Sequence, residues 1–193
     1  LLDIGGGSTE LILADSRDAR ALTSARVGAV RLQRDFIKEE PISSQRRSFL
    51  QSFIQGSLEP AVDKVLRRIN PGEKPVLVAT SGTAMAIGAL AAGEDDRPPL
   101  KFHGYKVSRS RLDRVVERLV VMTPAQRREI SAINDRRAEI IVPGALILQT
   151  TMKMLAVDGL VLSERALREG LIVDWMLRQG LLEDRFSFQS SIR

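Results

Sequence analysis

Cysteine is absent from this 193-residue chain. That excludes disulfides and thiolate metal sites and fits a reducing, cytoplasmic setting. Histidine occurs once, at His103; with no cysteine or second histidine beside it, it reads as a surface or core residue rather than a metal ligand. Aromatic residues make up only 4% of the chain, too few for a base-stacking platform, so no specific reading of nucleic acid is expected. No apolar run approaches the roughly 20 residues of a membrane span, and no signal peptide is visible. There is no initiator methionine at Leu1, from which the chain is expected to begin inside a larger protein.

What is present is ordinary for a globular domain: 44% hydrophobic and 27% charged residues. That suits one domain, or one domain with a small appendage. The net charge is +5 and the isoelectric point about 10.1. A basic balance favours polyanions such as phosphate polymers, nucleic acid or anionic membrane surfaces, although arginine-rich genome composition gives the same balance.

The pattern along the chain alternates strands and helices. Residues 1–14 read as a hairpin around Gly5-Gly6-Gly7, residues 20–28 as a strand and 29–36 as a turn or short helix. Apolar residues at three- and four-residue steps mark a helix from Ser44 to Ile69, which Pro60 should split or kink. Asn70-Pro71-Gly72 is a stop signal. Val76–Thr80 is a continuous apolar run, expected to be covered on both faces. A small-residue helix follows over Ala84–Ala92, then a polar loop over Gly93–Pro99. Further helices are predicted over Leu112–Val120, from Thr123-Pro124, over 136–156 with a kink at Pro143-Gly144, and over 165–178, ended by Gly180. Leu160–Ser163 reads as a short buried strand. The result is an α/β domain with a mixed sheet, assigned to residues 1–180, with 181–193 a tail or the start of a linker.

Two turns carry chemistry. In Asp3-Ile4-Gly5-Gly6-Gly7-Ser8-Thr9-Glu10 the glycines can take positive φ and let backbone N–H groups converge on an anion. Ser8 and Thr9 add hydroxyl donors. Asp3 and Glu10 would repel a phosphate directly, so a cation must stand between, and a hard, oxygen-ligated ion such as Mg²⁺ fits. Glu10 could also orient an attacking water. The motif is neither a Walker P-loop nor a dinucleotide fingerprint, because no Gly-Lys-Ser/Thr follows and the next element is a strand. In the second turn, Ser81-Gly82-Thr83, a strand runs into a helix N-terminus with free N–H groups. On its own that pattern reads as a simple N-cap; paired with the first turn, it would grip a successive phosphate.

Asp3–Leu11 resembles the second phosphate motif of the exopolyphosphatase / guanosine pentaphosphate phosphatase (Ppx/GppA) family. Val27–Leu32, Ala79–Thr83, Arg137–Leu148 and Ser163–Leu171 resemble later motifs of the same family, in order, over roughly residues 1–178. The resemblance implies an RNase H-like lobe of the actin/Hsp70/sugar-kinase superfamily, a mixed sheet flanked by helices. It also implies Mg²⁺-assisted hydrolysis of a terminal phosphoanhydride on inorganic polyphosphate or guanosine pentaphosphate, in a cytoplasmic homodimer. Asp3 and Glu10 would serve metal and water. Gly5, Gly6, Gly7, Ser8, Thr9, Ser81, Gly82 and Thr83 would hold phosphates, and Arg137 would be a substrate-side cation. The family's first lobe and the glutamate assigned as its general base would lie upstream of Leu1. The isolated chain is therefore expected to bind phosphate or Mg²⁺ weakly at most and not to turn over. The segment Phe186–Arg193 is expected to lead into a further helical domain.

A kinase or ATPase lobe of the same superfamily, or a non-enzymatic polyanion-binding module, are the alternatives. Arg127, Arg128 and Arg136 read as a solvated helix face, Tyr105 and Trp175 as packing residues, and Met152 and Met154 as core or contact residues. Gly144-Ala145 reads as a point of close helix approach.

Overall fold

The computed structural model describes residues 1–15, 18–93 and 101–183. Six strands alternate with seven helices among these: β1 (Leu2–Ile4), β2 (Thr9–Ala14), β3 (Ala19–Ala25), α1 (Ala29–Phe36), α2 (Ser44–Leu66), β4 (Val78–Thr80), α3 (Gly82–Ala92), β5 (Lys106–Ser108), α4 (Arg109–Val120), α5 (Pro124–Arg128), α6 (Asp135–Met154), β6 (Gly159–Leu162) and α7 (Leu167–Arg178). The sheet order is β3-β2-β1-β4-β6-β5. β1, β4 and β6 run parallel, while β2, β3 and β5 are antiparallel to their neighbours. The expected α/β lobe with a mixed sheet is therefore what forms. The anticipated loop over 94–99 and the tail from Phe186 onward lie outside the described residues.

Period-two alternation decides which side of the sheet carries the core. Leu2, Ile4, Leu11 and Leu13 are buried on one face, while Asp3, Glu10 and Ile12 are half-buried on the other. Over the buried face lies a helical layer centred on α6, which packs against α1, α2, α3, α4 and α5. Gly144 is a point of close approach: a Cβ there would lie 2.3 Å from Thr83 Cγ2, so α6 can sit against the start of α3 only because that atom is missing.

Neither internal proline breaks its helix. Helix α2 is continuous through Pro60, and α6 through Pro143. An interior proline costs about 3 kcal/mol, but α2 buries Leu50, Ile54, Leu58, Ala61, Val62 and Val65 along one side. At roughly 1.5–3 kcal/mol per large apolar side chain, that stripe outweighs the lost hydrogen bond. In α6 the proline itself is buried within the run Ile141–Leu148, broken only by the buried Gly144.

Other expectations are corrected. Val76 is exposed and precedes β4, and Val78 is half-buried, but Ala79 and Thr80, which point to opposite faces, are both buried, so the strand is shorter than expected and covered on both faces at its C-terminal end. Helix α3 begins at Gly82, two residues before the expected start, and β5, with a single buried residue, has no periodic pattern to mark it as a strand. Trp175 is exposed, and α7 as a whole buries no residue. Arg127 is fully buried, not part of a solvated face. It forms an ion pair with Glu40 and donates to the carbonyls of Met122 and Ala138. Burial, and then the neighbouring Arg128 charge, lower its guanidinium to about 10.

Candidate functional site

The site begins at the β1–β2 hairpin. The Gly5 N–H donates to the Ser8 carbonyl at 2.9 Å and closes the turn. None of Gly5, Gly6 or Gly7 takes a positive φ, so the nest expected from left-handed glycines does not form. The glycines serve close approach instead. Ala29 and Arg31, in the first turn of α1, donate their N–H groups to the Gly5 and Gly6 carbonyls at 3.0 and 2.9 Å. A Cβ on Gly28 would lie 2.5 Å from the Gly6 carbonyl oxygen, and one on Gly6 would lie 3.1 Å from Val30 Cγ2. The hairpin tip is thus clamped by the start of α1, with its carbonyls occupied. The N–H groups of Gly6 and Gly7 have no partner among the described residues and remain available to an anion.

Cross-strand register sets the acids. Asp3 pairs directly with Glu10, Glu10 with Ser24, and Asp3 with Thr80. These four residues form a row across the sheet, with side chains on one face about 5 Å apart. Burial, and then the adjacent Glu10 charge, raise the Asp3 carboxyl above its ordinary value. Two facing carboxylates are the arrangement a cation relieves. Among the described residues no third acid or histidine completes a protein-only cage. A carboxylate pair with hydroxyls suits a hard ion that keeps most of its water, as Mg²⁺ does.

Glu10 is held on one oxygen. Its Oε1 accepts from Ser8 Oγ at 2.7 Å and from Ser24 Oγ at 2.8 Å. Thr9 is different: its hydroxyl is fully buried and donates to the Val27 carbonyl at 2.6 Å. It ties β2 to the chain entering α1 and does not face the turn's open side.

Because β1 and β4 are parallel neighbours, the turn after β4 opens on the same edge of the sheet. Ser81 there has φ 113° and ψ 159°, a region that costs a non-glycine residue about 1–3 kcal/mol. Its hydroxyl accepts from the Ala84 N–H at 3.2 Å as the N-cap of α3, which leaves the N–H groups of Gly82 and Thr83 free at the helix start. Thr83 itself is buried, with its side chain against Gly144; only its N–H can serve a ligand. Arg137 reaches this turn. A Cβ on Gly82 would lie 2.7 Å from Arg137 Nη2, so the guanidinium lies against Gly82. Asn134 caps α6 by accepting from the Arg137 N–H at 3.0 Å, which fixes where that side chain leaves the helix. The loop after β6 joins the same edge, since Thr80 Oγ1 shares its one proton between the carbonyls of Ser163 and Arg165, at 3.2 and 3.1 Å.

Of the residues read from the sequence, the structure gathers Asp3, Glu10, Ser8 and the Gly6–Gly7 backbone at one turn. Ser81, Gly82 and Arg137 gather at the next. The Thr9 and Thr83 hydroxyls are turned into the fold. Gly28 and Thr80 lie in segments that resemble family motifs but have no role assigned by the sequence, and Ser24 has no signal at all; only the antiparallel register points to Ser24, because it faces Glu10 across the ladder.

The profile of the family described as Ppx/GppA phosphatase matches residues 1–179. An exopolyphosphatase 1 of Mycobacterium leprae is 32% identical over 178 residues, covering 89% of this chain and 50% of that protein. A guanosine-5'-triphosphate,3'-diphosphate pyrophosphatase of Vibrio vulnificus is 29% identical over 202 residues, covering 98% of this chain and 38% of that protein. The crystal structure of the Aquifex aeolicus Ppx/GppA family member superposes with a TM-score of 0.78 at 26% identity, covering 92% of this chain and 56% of that one. The chain thus spans about half, or less, of the length of these relatives. Among the described residues no helix is long and apolar enough to cross a membrane.

Proposed function

The chain belongs to the Ppx/GppA phosphatase family, and from that premise we propose that it forms one wall of a phosphohydrolase site. In the whole protein this site removes the terminal phosphate of inorganic polyphosphate or guanosine pentaphosphate. The observation that carries the reading is the Asp3–Glu10 cross-strand pair, one strand away from the Ser81-Gly82 turn and Arg137. Residues 1–180 are the lobe, and residues 181–193 a tail or linker.

The residues divide the work. The N–H groups of Gly6 and Gly7 and those at the start of α3 bind phosphate oxygens, and Arg137 adds a planar cationic fork. Asp3 and Glu10 would hold Mg²⁺, which when bound neutralises charge on the phosphate oxygens. Glu10 keeps Oε2 free, because Oε1 is taken by two hydroxyls; that free oxygen orients a water toward the terminal phosphorus. Water adds to the terminal phosphorus and releases a proton to solvent, the bridging P–O bond breaks, and the shortened phosphate chain leaves with the bridging oxygen as orthophosphate is freed. Positioning and charge supply most of the rate in such reactions, and positioning needs a second wall. The 193-residue chain alone therefore binds weakly and does not turn over.

Phosphate release from polyphosphate, guanosine pentaphosphate and ATP by the whole protein tests this. Asp3→Ala and Glu10→Ala are each expected to lower kcat by about 10²-fold or more with the fold intact. Activity within twofold of wild type in both variants would remove these acids from the reaction, and turnover by the isolated chain would contradict the need for a second wall.

A further inference from the structure

We infer that Ser24 is a positioning residue that makes Glu10 a one-oxygen ligand; the inference rests on the proposed metal-and-water role of Glu10. Ser24 stands opposite Glu10 in the β2–β3 ladder and donates its hydroxyl to Oε1 at 2.8 Å. Its neighbour Thr23 donates to the Leu11 carbonyl across the same ladder at 2.6 Å, so the register that sets Ser24 against Glu10 is pinned beside the contact itself. Ser8 donates to the same oxygen at 2.7 Å. Two donors occupy the lone pairs of Oε1 and leave Oε2 as the free acceptor.

The two serines are not equivalent. Ser8 lies on the turn whose N–H groups await an anion, and a hydroxyl has one proton to give. When Ser8 turns toward a phosphate oxygen, Ser24 alone holds Oε1. Ser24, fixed on a strand rather than a turn, keeps the carboxylate from swinging to present both oxygens. That matters for ion choice. Mg²⁺ demands near-octahedral geometry and takes carboxylates through single oxygens among its waters, whereas Ca²⁺ readily accepts both oxygens of one carboxylate. Outer partners of metal ligands typically change metal affinity by about 10- to 100-fold when removed. Ser24 therefore biases the site toward Mg²⁺ and away from Ca²⁺.

The test is a titration of the 193-residue chain with MgCl₂ and with CaCl₂, following the side-chain carboxyl ¹³C signals of Asp3 and Glu10 by NMR, which detects weak binding. Wild type, Ser24→Ala, Ser24→Val, Ser24→Thr and Glu10→Gln are compared, the Ser24 variants also in a Ser8→Ala background in which Ser24 alone holds Oε1, with amide spectra reporting the fold. Valine and threonine have the same shape and both suit a strand, so they differ in the hydroxyl alone. Ser24→Ala and Ser24→Val should weaken Mg²⁺ about tenfold and shift the preference toward Ca²⁺, and Ser24→Thr should restore both. Unchanged Mg²⁺ affinity and ion preference when Ser24→Val is added to the Ser8→Ala chain would overturn the role of Ser24 even if Glu10→Gln abolishes binding. A wild-type chain in which neither ion moves the Asp3 or Glu10 signals would instead overturn the metal-site reading itself, and this inference with it.

Discussion

At the scale of single residues, the three glycines of the first turn separate into two kinds. Gly5 and Gly6 sit tightly in the fold, since a Cβ would lie 3.1 Å from the Ser8 carbonyl or from Val30 Cγ2 and the neighbour would have to give by a few tenths of an ångström. Gly7 does not: it avoids the left-handed region, and a Cβ there would meet nothing within 4 Å. Its missing side chain leaves room only for something outside the fold. Gly7→Ala should therefore be neutral or slightly stabilising, by about 0.4–1 kcal/mol through the unfolded chain. In the whole protein it should raise KM for polyphosphate about tenfold or more, as a methyl intrudes on phosphate contacts. Thermal melts and steady-state kinetics on one preparation decide this, and an unchanged KM would mean that no ligand passes over Gly7. The acids and the two turns were legible in the sequence because residue type and spacing name them. The hydroxyl directions were not. Thr9 and Ser8 are neighbours in the motif, yet strand alternation buries one and presents the other, and Thr83 is claimed by α6 at Gly144. Ser24 carried no signal of its own, because its partner is fixed only by register.

At the scale of elements, the long periodic segments α2, α4 and α6 were legible, since their buried stripes repeat at helical steps. Strand β5 was not: Lys106-Val107-Ser108 has one apolar residue and is a strand only because its backbone pairs with β6. Arg127 shows why the α5 region misleads. Arg127-Arg128 reads as a charged helix face, but Glu40, in the middle of the α1–α2 connection, brings the opposite charge inside. Glu40 also accepts from Gln33 Nε2 at 2.7 Å, and Arg127 donates to Ala138, one residue beyond Arg137. The buried pair thus ties α1 to the N-terminal turn of α6 that carries the site's cation. Arg127→Leu would leave Glu40 buried without its partner, a loss of roughly 3–5 kcal/mol, or on the order of 10 °C in Tm for a chain of this size. Removing both charges in Glu40→Leu/Arg127→Leu should cost less than Arg127→Leu alone, because the stranded charge is gone. Denaturant unfolding of the three variants measures it. A single-variant loss below about 1 kcal/mol would show that the pair is solvated rather than buried.

At the scale of the whole molecule, stability and function pull on pH in opposite directions. Hydrogen bonds from Arg34, Arg20 and Arg47 lower Asp35, Glu73 and Glu117, and the Ala166 N–H lowers Glu169. Each of these carboxyls contributes stability above its unfolded pKa that is lost as pH falls through its folded pKa. For Glu73, which also accepts from Asn70, the window runs from the ordinary 4.5 down to about 2. Protonation also adds positive charge to a chain already at +5, so self-repulsion acts in the same direction. Asp3 has the opposite sign. Its raised pKa means that the ionised form opposes folding above that value, and the penalty fades as pH falls toward the ordinary 3.8. The urea midpoint should therefore drop between pH 4.5 and 2. Glu73→Gln should flatten that drop and lower the midpoint at neutral pH. Asp3→Asn should do the reverse at neutral pH: it removes a desolvated charge facing Glu10 and should make the protein more stable than wild type while abolishing Mg²⁺ binding. That advantage should vanish below pH 3.8, where wild-type Asp3 is protonated in both states. An Asp3→Asn variant no more stable than wild type at pH 7 would mean that the facing carboxylates carry no cost in the fold, and the physical reason given for a cation between them would fall.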